Sequence, residues 1–155
     1  MQFWILFVLG AAISWGAYGP VLHLGRAGFP DRPSASLRAL LCVGFAYFLV
    51  GVLLPVASLW WQGKLPGFTA RGVSLSTLAG VLGALGAACI IWSFQSGGKP
   101  LYVMPLVFAG APLVNAIITV TTHHGSEARS LHPLLFVGFA MAACGAWLVL
   151  RYLPT

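Results

Sequence analysis

The segment LRALLCVGFAYFLVGVLLPVASLWW, residues 37–61, has its single charged residue, Arg38, close to its start. A transmembrane helix needs about 20 mostly apolar residues to cross a hydrocarbon core about 30 Å thick. The backbone polar groups of a segment in lipid must be satisfied internally, which favours a helix over an isolated strand. This segment is therefore predicted to be a membrane-spanning helix.

Four further segments of the same kind are predicted along the chain, over residues 3–24, 73–95, 101–122 and 134–152. The stretches between them, such as GRAGFPDRPSAS and QGKLPGFTARG, combine Gly, Pro, Ser and charge, which indicates loops. No stretch is long or polar enough for a soluble domain. The sequence thus predicts an all-α integral membrane protein, a bundle of five transmembrane helices that forms one domain.

The composition supports a lipid environment. Hydrophobic residues make up 59% of the chain and charged residues 6%, whereas soluble domains carry about 25% charged residues. The formal net charge is +6, but Lys and Arg occur singly at the ends of apolar runs and form no patch for nucleic acid. The expected partner is a lipid bilayer, and the expected location is the bacterial inner (plasma) membrane.

An odd number of spans places the two termini on opposite sides of the membrane. Three of the eight Lys and Arg residues would then lie on the side of the N-terminus and five on the other side. Because cytoplasmic loops are enriched in Lys and Arg, this distribution slightly favours a chain with its N-terminus outside.

The sequence carries no signature of catalysis. The patterns GxSxG and HExxH are absent, and the two acids, Asp31 and Glu127, fall in loops. A general acid/base pair is therefore missing, and no enzyme activity is expected. His123 and His124 are adjacent, which would place them about 100° apart on a helix, a poor arrangement for a metal ion. No metal and no cofactor is predicted.

Polar residues inside the spans mark the candidate site, because they are costly in lipid and usually face the interior of a bundle. Ser14 and Tyr18 share one helical face, and Pro105 and Pro112 each remove a backbone hydrogen bond. The sequence predicts a mostly uncharged substrate-binding cavity lined by Trp15, Tyr18, Trp92, Gln95, Tyr102 and Asn115. The alternative is that the prolines are ordinary for transmembrane helices and that Asn115 joins two helices.

Two local features complete the predicted first and second helices. Pro20 is expected to turn the chain out of the bilayer, with His23 at the mouth of the cavity. Ser36 is expected to cap the second helix.

The third span contains small residues spaced four apart, in the pairs Gly80–Ala84 and Gly83–Ala87. Such pairs let helix backbones approach closely in lipid. They favour either tight packing within one bundle or a contact with another subunit.

Several of these residues together resemble a known family. SWGAYGP in the first span, Arg38, and YVMPLVFAGAPLVNAIITV followed by Glu127 look like one five-helix half of a drug/metabolite transporter superfamily protein (EamA-like). Members of that family often contain two such halves in opposite orientation. The resemblance therefore implies pairing, as an antiparallel homodimer with the site between subunits. Since no carboxylate lies within a span, an uncharged or weakly polar small-molecule substrate is expected.

Two functions are consistent with the sequence. The first is a small-molecule membrane transporter that acts as a homodimer. The second is a non-catalytic accessory or structural subunit of a larger membrane complex, which the small size, sparse charge and Gly-rich helix faces fit as well.

Overall fold

A computed structural model describes residues 3–122 and 134–152 of the chain. Within these two ranges the protein is helical and has no β-strand. Its five helices are α1 (Trp4–Ala27), α2 (Ala35–Trp61), α3 (Ala70–Gln95), α4 (Pro100–Thr122) and α5 (Leu134–Arg151). The prediction of an all-helical protein is confirmed. The segment 123–133, which contains His123, His124 and Glu127, lies outside the described residues.

Four helices are long and apolar enough to cross a membrane: α1, α2, α3 and the part of α4 from Pro100 to Thr119. At about 1.5 Å per residue, the 24 residues of α1 span about 36 Å, which exceeds a hydrocarbon core of about 30 Å. The apolar part of α5, Phe136–Arg151, is shorter. The described residues thus have the character of a multi-pass membrane protein with four spans, and the fifth crossing stays a prediction.

The chain divides into two compact units, Met1–Gly97 and Gly98–Thr155. In the first unit α1, α2 and α3 all contact one another, and in the second α4 packs against α5. The buried apolar residues of the first unit concentrate where α1 ends, α2 begins and α3 ends. They include Leu22, Ala35, Ala39, Ile90, Ile91 and Phe94. The small side chains of α2 allow close packing at this end of the unit.

A proline explains the one irregular stretch within α2. The helix takes π-helical form over Leu49–Leu53 and returns to α-helix at Leu54. Pro55 follows at once; it has no N–H, and its ring would clash with the carbonyl of Gly51 four residues earlier in a regular helix. The wider π turn accommodates the proline without ending the span.

Pro20 lies inside α1, which continues to Ala27. The expectation that Pro20 turns the chain out of the bilayer is therefore wrong. A proline deprives the carbonyl four residues earlier, that of Gly16, of its helical N–H. Transmembrane helices tolerate such a loss where neighbouring groups compensate, so a proline in lipid need not end a helix.

The start of α2 also differs from the prediction. The helix begins at Ala35, and the hydroxyl of Ser34 at the N-cap position donates a hydrogen bond to the carboxylate of Asp31. Arg38 forms an ion pair with the same carboxylate at 3.6 Å. Because Asp31 contacts both Ser34 and Arg38, it stabilises a first turn that starts one residue before Ser36. The prediction that Ser36 caps the helix is therefore wrong.

The link between α2 and α3 is defined by two end motifs. After α2, Gly63 has a φ of 64°, and the N–H of Lys64 donates to the carbonyl of Leu59 at 2.9 Å, as in a Schellman motif. Before α3, the Thr69 hydroxyl accepts a hydrogen bond from the N–H of Gly72 at 3.2 Å. A Cβ on Gly72 would lie 2.9 Å from that hydroxyl, so the glycine preserves the cap.

Candidate functional site

The first unit contains an open cavity of about 190 Å³ between α1 and α2, lined by Ser14, Trp15, Tyr18 and Tyr47; Trp15 is 41% exposed and Tyr47 45%. Ser14 follows the start of α1 by ten residues and Tyr18 precedes its end by nine. Tyr47 lies near the middle of α2. The cavity is therefore at the depth where both helices would cross the centre of a bilayer.

Helical spacing brings the α1 side of the cavity together. Ser14 and Tyr18 are one turn apart, and the rings of Trp15 and Tyr18 have centroids 5.6 Å apart with an interplanar angle of 52°. This separation is within the range of favourable aromatic pairs. The pair gives the cavity two ring walls, and the ring of Tyr47 lies on the α2 side.

The hydroxyl of Tyr18 is the most informative atom of this site. It is buried, and no hydrogen-bond partner for it occurs among the residues that the structure describes. Two shorter hydroxyl side chains bond within their own helices: Thr121 donates to the carbonyl of Ile117 at 2.9 Å, and Ser74 to that of Arg71 at 3.2 Å. A buried hydroxyl without a partner costs about 1–3 kcal/mol, and because this atom has almost no accessible surface, a molecule in the cavity would accept its hydrogen bond only after the Tyr18 ring turned.

The predicted site residues separate into three groups. Trp15 and Tyr18 lie together at the cavity. Trp92 and Gln95, in the last turn of α3, are exposed and do not line it. Tyr102 and Asn115 belong to the second unit, where Tyr102 is half-buried and Asn115 is exposed.

Tyr47 is the lining residue that the sequence analysis did not single out. A hydroxyl in the middle of a long apolar run is the same signal that marked Tyr18. Applied to the second span, this signal would have made Tyr47 a candidate, although it would not have shown that Tyr47 faces α1.

A second polar cluster joins α1 to α3. The guanidinium of Arg26 donates from Nη2 to the carbonyl oxygen of Phe94 at 3.1 Å. The imidazole of His23 meets the ring of Phe94 edge-on, with centroids 5.2 Å apart and an interplanar angle of 86°. Because Phe94 is in the last turn of α3, Arg26 places a positive charge at the negative end of that helix. This cluster ties the two helices together and lies outside the cavity lining.

Within residues 3–122 and 134–152, no three His, Cys, Asp or Glu side chains come together in a way that could hold a metal ion. The cavity itself has no charged side chain in its lining. Its chemistry is that of aromatic rings and hydroxyl groups.

The fold and the cavity together describe a helical protein of membrane character with an aromatic, hydroxyl-bearing cavity at the middle of two spans. Comparison with protein-family models, with curated proteins and with solved structures found no match.

Proposed function

We propose that the chain is a small-molecule membrane transporter that carries an uncharged or weakly polar substrate. The observation that supports this most directly is the cavity at Ser14, Trp15, Tyr18 and Tyr47, beside which the Tyr18 hydroxyl is buried without a partner among the described residues. A polar atom at the centre of a span is costly, and such atoms commonly mark substrate pathways.

The irregular backbone of α2 supports the same function. The π-helical turn Leu49–Leu53 begins two residues after Tyr47. Substrate sites of secondary transporters lie near the midplane of the bilayer and are typically formed by discontinuous helices. A wider turn beside the cavity gives α2 a place to bend while the ends of the helix stay fixed.

In this proposal α5 is the fifth span. Its 18 residues give a length of about 27 Å, close to the thickness of the hydrocarbon core. Five crossings place the termini on opposite sides, with the N-terminus outside. The membrane proposed is the bacterial inner membrane.

The functional form in this proposal is an antiparallel homodimer, in line with the resemblance to half of a drug/metabolite transporter superfamily protein. The open face of α3 supports a contact with another helix: a Cβ built on Gly80 or Gly83 meets no atom within 4 Å. Small residues of this kind allow close helix approach in lipid. The expected mass of the protein in nanodiscs is that of two chains, and a single chain would contradict the homodimer.

The test of transport is solute flux into liposomes containing the purified chain, with a panel of labelled uncharged solutes and empty liposomes to subtract leakage. Tyr18→Phe removes the hydroxyl and keeps the ring, and we expect it to lower flux three- to tenfold, the range of one net hydrogen bond. Tyr152→Phe, at an exposed position after α5, is the matched control and leaves flux unchanged. Equal flux from both variants would remove the cavity from the pathway.

Asn115 provides a second test. We expect Asn115→Leu to abolish uptake while membrane insertion is retained, because the sequence predicts that this amide, exposed in the second unit, binds the substrate. Uptake at the unaltered rate would assign Asn115 to the alternative role of joining helices.

The same open glycine positions on α3 also favour a second candidate, an accessory subunit of a larger membrane complex. This candidate predicts that a different membrane protein co-purifies with the chain under native conditions and that the chain alone carries no solute. The transporter predicts flux by the chain alone, so the two experiments together separate the candidates.

A further inference from the structure

We infer that the link between α2 and α3 binds the headgroup of an anionic phospholipid. The surface that binds it, the link surface, consists of two cations and four large apolar side chains: Trp60, Trp61, Lys64, Leu65, Phe68 and Arg71. The inference does not depend on transport by the chain. It adds a lipid of defined charge at a defined end of the first unit.

The lengths of the two helices place the link at the headgroup level of a bilayer. At about 1.5 Å per residue, the 27 residues of α2 and the 26 of α3 each span about 40 Å. The hydrocarbon core is about 30 Å thick, and the bilayer with its headgroups about 40–45 Å. Residues 62–69 are not helical, and backbone of this kind has to lie where water or headgroups can bond it.

The apolar part of the link surface does not pack on the helices. Trp61 is 93% exposed and Phe68 75%, and Trp60 and Leu65 are exposed as well. Tryptophan is enriched at membrane interfaces because its amphipathic ring suits the headgroup level. Apolar side chains at this level can enter the boundary between headgroups and acyl chains. The four side chains therefore favour a ligand that has acyl chains over a free anion.

The two cations of the link surface are not neutralised by the residues that the structure describes. Neither Lys64 nor Arg71 has a side-chain hydrogen bond or an ion pair in this part of the chain. Asp31 precedes the other end of α2 and is already in an ion pair. The connection that contains Glu127 also contains Arg129, so it has no formal net negative charge. Charge complementarity thus favours an anionic ligand.

The link surface differs in this respect from the connection between α1 and α2. There Arg26 donates to the Phe94 carbonyl and Arg38 pairs with Asp31, so two of the cations are engaged within the protein. At the link surface, Arg71 is the second residue of α3, whose first turn has no acidic residue. The positive end of the helix dipole adds to this charge, and an anionic headgroup compensates both.

The experiment counts the lipids bound to the full chain by native mass spectrometry, after release of the protein from an uncharged detergent. Dioleoyl phosphatidylglycerol is the probe. Dioleoyl phosphatidylcholine, the control, has the same acyl chains and no net charge. Each cation close to an anionic headgroup is expected to raise affinity about fivefold. We therefore expect phosphatidylglycerol to bind the unaltered chain at least fivefold more tightly than phosphatidylcholine.

Charge variants connect this preference to the link surface, with circular dichroism as the check that each variant is folded. Lys64→Gln combined with Arg71→Gln is expected to lower phosphatidylglycerol affinity at least fivefold and to leave phosphatidylcholine affinity unchanged. Lys64→Gln alone, outside both helices, lowers it two- to fivefold. Arg32→Gln combined with Lys99→Gln removes the same charge from exposed positions of two other connections and lowers it less than twofold. Lys64→Arg combined with Arg71→Lys keeps both charges and the preference.

The inference is overturned if the two lipids bind the unaltered chain equally well. It is also overturned if the two neutralising double variants lower phosphatidylglycerol affinity to the same extent, which is the behaviour of charge spread over the whole chain. Inorganic phosphate that displaces phosphatidylglycerol at an equal concentration would assign the surface to a free anion and contradict a lipid site. Trp61→Ala combined with Phe68→Ala is expected to weaken binding of both lipids, and unchanged affinities would contradict the apolar contact.

Discussion

Replacing Arg26 with Met tests whether the cluster at Phe94 holds α1 against α3. In the structure, Nη2 of Arg26 donates to the Phe94 carbonyl at 3.1 Å, across 68 positions of sequence. Gly97 also donates to this carbonyl from its N–H, at 3.4 Å, within the C-terminal turn of α3. The substitution removes the one bond of this pair that connects two helices, and it removes the charge at the end of α3.

The expected loss of stability is about 2 kcal/mol. A hydrogen bond from a charged group contributes about 1.5–3 kcal/mol, and a cation at a helix C-terminus about 0.3–1 kcal/mol. The two contributions overlap, because both arise from the same guanidinium near the same carbonyl. The estimate stays in the lower part of the range since the guanidinium is only partly buried.

The matched control is Arg32→Met, which removes a positive charge six residues further on, in the connection between α1 and α2. The side chain of Arg32 is exposed and has no hydrogen bond or ion pair to the residues that the structure describes. Both variants therefore change the loop charge that influences membrane orientation to the same extent.

The assay is equilibrium unfolding of the detergent-solubilised chain in a titration with sodium dodecyl sulfate, followed by circular dichroism. We expect Arg26→Met to unfold at a lower denaturant fraction than the unaltered chain, and the stability of Arg32→Met to be within about 0.5 kcal/mol of that of the unaltered chain. The stability of Arg26→Lys is expected to lie between those of Arg26→Met and the unaltered chain, since Lys keeps the charge and loses the planar guanidinium group. Equal stabilities for Arg26→Met and Arg32→Met would refute a stabilising contact between Arg26 and α3.

Three further outcomes are expected. Phe94→Ala lowers the free energy of unfolding by about 2 kcal/mol in the same assay, whereas Trp92→Ala changes it little, since Phe94 is 2% exposed and Trp92 49%. The expected loss is smaller than about 3–5 kcal/mol, the loss for the same substitution in soluble cores, because lipid tails are as apolar as the protein interior. Thr69→Ala lowers the free energy of unfolding by about 1 kcal/mol through loss of the cap on Gly72, and Thr69→Ser restores most of the loss. Single cysteines added at the two termini of a cysteine-free variant are expected to react with a membrane-impermeant thiol reagent from opposite sides, and labelling from the same side would contradict five crossings.

The positions of the helices were predictable because long apolar runs and their polar interruptions are strong signals in lipid. The predicted 37–61 segment, for example, lies within Ala35–Trp61. Details that depend on contacts between separated residues were not predictable. The start of α2 depends on how Asp31 engages Ser34 and Arg38, and a serine two residues along fits a capping pattern equally well.

The site was predictable only in part, for a similar reason. Spacing along one helix brought Trp15 and Tyr18 together, since both residues belong to α1 and are three apart. Which residue of another helix faces them depends on the rotation of α2 about its own axis, and no pattern in a uniformly apolar segment fixes that rotation. The Arg26–Phe94 contact joins residues far apart in sequence and likewise has no local signal.

The unpartnered polar atoms of the first unit differ in their position along the helices. Four side chains of the first unit have a buried atom without a partner within the described part of the chain: Tyr18, His23, Arg26 and Ser36. Arg26 and Ser36 lie within two residues of a helix end and His23 within about one turn of one, at a depth where interfacial water is near. Tyr18 alone is at the depth of the membrane centre, where water is not close. The phenolic hydroxyl of Tyr18 is too far from its own backbone to bond within α1, as the short Thr121 side chain does within α4, so its partner has to come from outside the helix. Tyr18 is also a lining residue of the cavity, and in the proposed function a substrate supplies the missing partner once the ring turns its hydroxyl toward that space.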